Sequence, residues 1–144
     1  MTINQLSVFV ENKPGRLAEI TAILQQSGID IRALSIADTT HFGILRLIVD
    51  APVQAEQALK DAGFTVSLTK VIAIGVDDQP GGLAKNLALL SGHGVSVEYM
   101  YAFISREKKT AYVILRVDDN DKALDLLKSH GIPILTEQEI IQGV

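Results

Sequence analysis

The sequence predicts an α+β protein made of two tandem βαββαβ repeats, each an antiparallel sheet with its helices on one face. Three observations carry this prediction. The stretch "VENKPG" (10–15) returns as "VDDQPG" (76–81). Apolar residues on both sides of these turns match in the same order. Each copy also passes through the same succession of two-residue and helical apolar periods.

Superposing Pro14-Gly15 on Pro80-Gly81 brings Leu6, Val8 and Val10 onto Ile72, Ile74 and Val76. Leu17, Leu24 and Gly28 then fall on Leu83, Leu90 and Gly94, with Ile29 and Ile31 on Val95 and Val97. The second copy is longer around "SREKKT" (105–110), after which "ILRLIVD" (44–50) meets "VILRVDD" (113–119) with Arg46 on Arg116. Repeat 1 is expected to span 1–69. Repeat 2 is expected to span 70–144 and to end in a short helix.

Within the first copy, "LSVFV" alternates as a half-buried strand. Leu17, Ile20, Ile23 and Leu24 recur at helical spacing after Pro14-Gly15, and Gly28 stops that helix. "IDIRALSI" and "ILRLIVD" are strands joined through "ADTTHFG". "PVQAEQALKDAG" is a second helix, with Pro52 in its first turn and Gly63 beyond its end, and "FTVSLT" is a fourth strand. This order is the ferredoxin-like, split βαβ arrangement. It leaves one sheet face uncovered by helices, carrying Phe9, Ile44, Arg46 and Ile48 in one copy and Tyr112, Ile114 and Arg116 in the other. So apolar a face is expected to be covered by another sheet or another chain, and a homodimer is expected.

Composition narrows the function. Hydrophobic residues make up 47% and charged residues 21%, as in a well-packed globular chain. A formal net charge of −4, with "REKK" (106–109) as the densest basic run, opposes a nucleic-acid or anionic-membrane partner. Tyr99, Tyr101 and Phe103 lie on the second strand of their repeat, not where an RNA-recognition sheet carries its stacking aromatics. The lack of cysteine excludes thiolate metal sites and cysteine nucleophiles and fits a cytoplasmic protein. An acylphosphatase-like site would need a basic phosphate-cradling first loop, and these loops carry acids and amides apart from Lys13. No basic segment leads into an apolar one at the start, and no apolar run approaches membrane-spanning length.

The stretches "ENKPGRLAEITAILQQSGIDI" and "DDQPGGLAKNLALLSGHGVSV" both resemble the ACT domain, a regulatory module that binds amino acids. The resemblance rests on Asn12, Pro14, Gly15, Leu17 and Gly28-Ile29-Asp30-Ile31, and on Asp78, Pro80, Gly81, Leu83 and Gly94-Val95-Ser96-Val97. It covers nearly the whole chain, so a stand-alone tandem ACT protein is expected. It implies ligand sites shared between two modules. Carried over, one site joins Asn12 and Gly15 to Ser96 and Val97, and the other joins Asp78 and Gly81 to Asp30 and Ile31.

The residues support a site in their own right. A helix N-terminus presents unpaired N–H groups to a carboxylate, glycine lets the ligand approach, and the oxygen of Asn12 or Asp78 suits an ammonium group. Plain helix initiation, with Asn12 or Asp78 capping, is the competing account. The Asn12 turn is the favoured one, because carboxylates at Asp78 and Asp30 would repel the ligand's own.

His41, His93 and His130 lack metal-ligand spacing, and the latter two suit capping of helix C-termini. Asp119 reads as a helix cap rather than part of a metal site with Asp118, and "TEQE" (136–139) reads as a capping box. No nucleophile elbow or nucleophile–base pair is present, so neither catalysis nor a cofactor or metal is expected. The expected function is an amino-acid sensor. The alternative is a regulatory subunit or scaffold that binds a metabolic enzyme without a ligand.

Overall fold

Alternating apolar residues and the turn glycines build the first repeat as the sequence predicts. The computed structural model describes residues 1–39, 41–103 and 109–142; most of "SREKKT" and "REKK" lies outside them. The chain forms two compact units, Asn4–Thr69 and Lys70–Val144, the latter taking in Met1–Ile3. The first contains β1 (Ile3–Glu11), α1 (Arg16–Gln26), β2 (Ile31–Asp38), β3 (Phe42–Val49), α2 (Pro52–Asp61) and the beginning of β4 (Thr65–Asp77). Its strand order is β2-β3-β1-β4, with β3 antiparallel to both neighbours.

Successive strand residues point to opposite faces, so Leu6, Val8 and Val10 of β1 share one face with Leu45, Leu47 and Val49 of β3. Ile20 and Leu24 of α1 and Ala55 and Leu59 of α2 close over that face. Each large side chain buried there contributes about 1.5–3 kcal/mol.

The second unit repeats the plan with the remainder of β4, α3 (Gly82–Gly92), β5 (Val97–Phe103), β6 (Thr110–Val117), α4 (Asn120–Ser129) and β7 (Ile134–Leu135). Here β4 pairs with β6 and β7, and β6 with β5. Ile72, Ile74, Val113, Leu115 and Val117 meet Leu90 of α3 and Leu124 and Leu127 of α4. The chain is thus an α+β protein with two ferredoxin-like repeats. A final helix, α5 (Glu137–Gln142), starts from a capping box in which Thr136 N–H donates to Glu139 Oε2 (2.7 Å) and Glu139 N–H to Thr136 Oγ1 (3.2 Å). Asp119 caps α4 by accepting from Lys122 N–H at 3.1 Å. His93 and His130 donate from Nδ1 to the carbonyls of Leu89 and Leu126, both at 2.9 Å, since a carbonyl can only accept.

Two features add to the expectation. The fourth strand of the first repeat and the first strand of the second are one strand: β4 continues without a break to Asp77, and 65–74 contains neither glycine nor proline. The sheet face away from α3 and α4 is covered in the second repeat, as its apolar content predicts. Tyr112 and Ile114 are buried within the chain, at 6% and 0% exposure, while Phe9 in the first repeat remains half exposed. Tyr112 stacks on Phe103 with ring centroids 5.3 Å apart.

Leu115, fully buried and central in β6, tests the helix-side core. Leu115→Ala should destabilise the protein by about 2–5 kcal/mol, read as a lowered urea midpoint with an unchanged slope.

Candidate functional site

The chain must reverse from β1 into α1 within Asn12–Gly15. Lys13 N–H donates to the carbonyl of Glu11 (2.7 Å), and Asn12 N–H to that of His41 (3.3 Å). Gly15 then adopts φ +85°, a left-handed conformation in which a side chain is strained. The second repeat follows the same course: Gln79 N–H donates to the Asp77 carbonyl (2.9 Å), Asp78 N–H to the Lys109 carbonyl (2.9 Å), and Gly81 has φ +87°. Backbone conformation therefore accounts for both glycines, a reason that spacing alone does not supply.

Among the described residues, no side chain caps α1 or α3. Capping by Asn12 or Asp78 is thereby overturned as the role of these residues. Both are exposed, beside helix ends whose first N–H groups lack intrahelical acceptors. Glu11 pairs with Lys13 at 2.7 Å, and hydrogen bonding to that ammonium, followed by its charge, holds the Glu11 carboxyl below its ordinary range.

A cavity of about 110 Å³ lies against the first turn, lined in part by Asn12, Lys13, Leu17, Ile36 and Asp38. Leu34 and Ile36 pair directly with Leu47 and Leu45, so they lie on the helix side of edge strand β2. With Leu17 of α1 they are exposed apolar residues, at 54%, 46% and 44%. In the second repeat Leu83 and Met100 are instead partly buried against the core.

The strand-start residues are held by a device that sequence reasoning missed. Asp30 N–H donates to Asp50 Oδ1 (2.9 Å) and Asp50 N–H to the Asp30 carbonyl (3.2 Å). Ser96 and Asp118 repeat the exchange at 3.0 and 3.1 Å. The only signal was an acid at corresponding strand ends. Asp30 also pairs with Arg32 at 3.1 Å, so its charge is balanced locally.

Register shows which expected site residues each repeat brings together. Glu11 pairs with Phe42 at one end of the first sheet, and Ile31 with Val49 at the other. Asn12, Pro14 and Gly15 are thus clustered, while Asp30 and Ile31 sit at the opposite end of the same sheet. Asp78, Pro80 and Gly81 are likewise separated from Ser96 and Val97, since Asp77 pairs with Thr110 and Val97 with Val117. Among the described residues, no group of three or more His, Asp or Glu side chains could hold a metal ion.

A family model described as "ACT domain pair" matches residues 1–143. A crystal structure of a protein from Bacteroides thetaiotaomicron is 42% identical, covers 99% of this chain and 97% of its own, and has a TM-score of 0.93. A probable acetolactate synthase small subunit of Archaeoglobus fulgidus is 27% identical over 143 residues, covering 88% of this chain and 87% of its own. The ligand-free regulatory subunit of aspartate kinase from Thermus thermophilus shares the fold, with 16% identity, a TM-score of 0.66 and coverage of 89% and 92%.

Two expected outcomes follow from the turns. A Cβ on Gly82 would collide with the Asp77 carbonyl oxygen, whereas at Gly81 it meets no neighbour but has an unfavourable φ. Gly81→Ala should cost about 1–2 kcal/mol in urea unfolding, and Gly82→Ala more. Lys13→Met should raise the Glu11 pKa in an NMR titration. The wild-type shift is downward, so its contribution to stability is present above the unfolded-state pKa and disappears as pH falls through the lower folded value.

Proposed function

The chain belongs to the ACT domain-pair family, and we propose that it is a regulatory sensor, not an enzyme, whose turns bind an amino acid. Repeats 1–69 and 70–144 would act as the paired modules. The observation carrying this reading is the exposed Asn12 side chain, which caps nothing, beside the open N-terminus of α1. The helix end favours the ligand's carboxylate by about 0.3–1 kcal/mol, and Asn12 Oδ1 accepts from its ammonium. Leu17, Leu34 and Ile36 offer apolar surface beside them.

In this reading the turn of one repeat faces the strand start of another, in the same chain or in a second copy forming a homodimer. Asn12, Pro14 and Gly15 work with Ser96 and Val97; Asp78, Pro80 and Gly81 work with Asp30 and Ile31. The Asn12 turn remains favoured, because Asp78 still brings a carboxylate to its own turn. Its advantage no longer rests on Asp30, which Arg32 neutralises.

A second reading is a ligand-independent subunit that docks on a metabolic enzyme in the cytoplasm. The relative named as an acetolactate synthase small subunit and the exposed apolar strip favour it. Among the described residues, no helix is long and apolar enough to cross a membrane.

A thermal-shift panel of the common amino acids separates the two. A ligand at about 100 times its Kd should stabilise the native state by about 2.7 kcal/mol, and Asn12→Ala should remove the shift without lowering the ligand-free Tm. The absence of a shift with every amino acid at millimolar concentration would favour the scaffold.

A further inference from the structure

The second repeat has an open corner away from Asn12, and its chemistry is unlike that of the matching corner in the first repeat. Asn86 lies on α3 at the position where α1 carries the fully buried Ile20. The residue is only 6% exposed, yet its side chain has no hydrogen-bond partner among the described residues. It lines a cavity of about 520 Å³ between α3 and the turn that leads from α4 into β7. Its amide atoms are not sealed from solvent, so they open onto the cavity and can bond a polar group there.

The first repeat narrows its corner with its own side chains. Arg16 lies over the Phe64 ring, 5.9 Å from its centroid, and the cavity there is about 320 Å³. At those two positions the second repeat has Gly82 and Ile132. Gly82 is required by the approach of the Asp77 carbonyl oxygen to the start of α3, and it contributes no side chain to fill the space.

We propose that this corner is a second ligand site, distinct from the Asn12 turn, for a small carboxylic acid with a hydrogen-bonding group at C2 and a short apolar tail. Lys85, on the rim one residue before Asn86, supplies the cation for the carboxylate. The nearby N-terminus of α3 favours the same negative charge. The Asn86 amide bonds the C2 group, donating to an oxo or hydroxyl oxygen or accepting from an ammonium. Val76, Leu89 and Ile132 line the cavity for the tail. His130 is also in the lining, with Nδ1 committed to the Leu126 carbonyl and Nε2 left for the ligand. Asp77 adds a carboxylate to the wall, which favours an ammonium at C2 over an oxo group.

Titration of the 15N-labelled full chain with 2-aminobutyrate, 2-oxobutyrate, 2-hydroxybutyrate and butyrate tests this site. The Asn86 side-chain NH2 resonances should shift saturably at millimolar ligand, with 2-aminobutyrate strongest and butyrate at least tenfold weaker. Asn86→Ile, which copies the first repeat, should weaken binding at least tenfold while leaving Tm equal or higher. Lys85→Met should weaken every ligand in the series and provides the test if Asn86→Ile misfolds. Asn12→Ala should leave the Asn86 shifts intact; their loss in that variant would assign the binding to the turn and overturn the second site. No saturable shift at Asn86, or equal binding by Asn86→Ile, would also overturn it.

Discussion

The structure depends on how the chain passes from β1 into α1, and from β4 into α3, in so few residues. Gly15 and Gly81 make the reversal possible by adopting φ values of +85° and +87°. Once that conformation is set, each helix runs back over its sheet. Ile20 and Leu24 then cover Leu6 and Val8, and Leu90 covers Ile72 and Ile74. A glycine at the N-cap brings no side chain to satisfy the first helical N–H groups. The same constraint that positions the core therefore leaves a polar helix end open on each repeat.

Much of this frame was legible because its signals are local. Alternation marks β1 and β3, helical spacing marks α1, and "TEQE" marks the start of α5 through hydrogen bonds between residues three apart. The repeat boundary was read as a strand end and a new strand, although no breaker residue lies between Thr65 and Ile74. A duplication shows where similarity restarts, not whether the backbone stops. The burial of Tyr112 and Ile114 followed from the apolar content of their face, but a pattern of alternation separates two faces without saying what lies on each.

The candidate site was legible in part. The position of Asn12 followed from the turn, but its freedom from capping did not, because a cap depends on side-chain geometry that composition leaves open. The reciprocal bonds of Asp30 with Asp50 and of Ser96 with Asp118 span 20 and 22 residues, and no spacing rule announces them. Asn86 is another matter. It interrupts the apolar stripe of α3 where Ile20 continues that of α1, so matching the repeats residue by residue would have exposed it.

Duplication sets a common frame, and the differences then show where each copy has been given its own chemistry. Arg16 and Phe64 pack together in one corner, while Gly82, Asn86 and Ile132 leave the other open. Lys13 neutralises Glu11 beside the first turn, and Gln79 does no such thing for Asp77. A ligand can shift a conformational equilibrium only through different affinities for the two states. Two identical repeats would respond to one ligand alike. Repeats with unlike corners can respond separately, so two small molecules could act on one chain, and any coupling between them would have to be reciprocal in binding free energy.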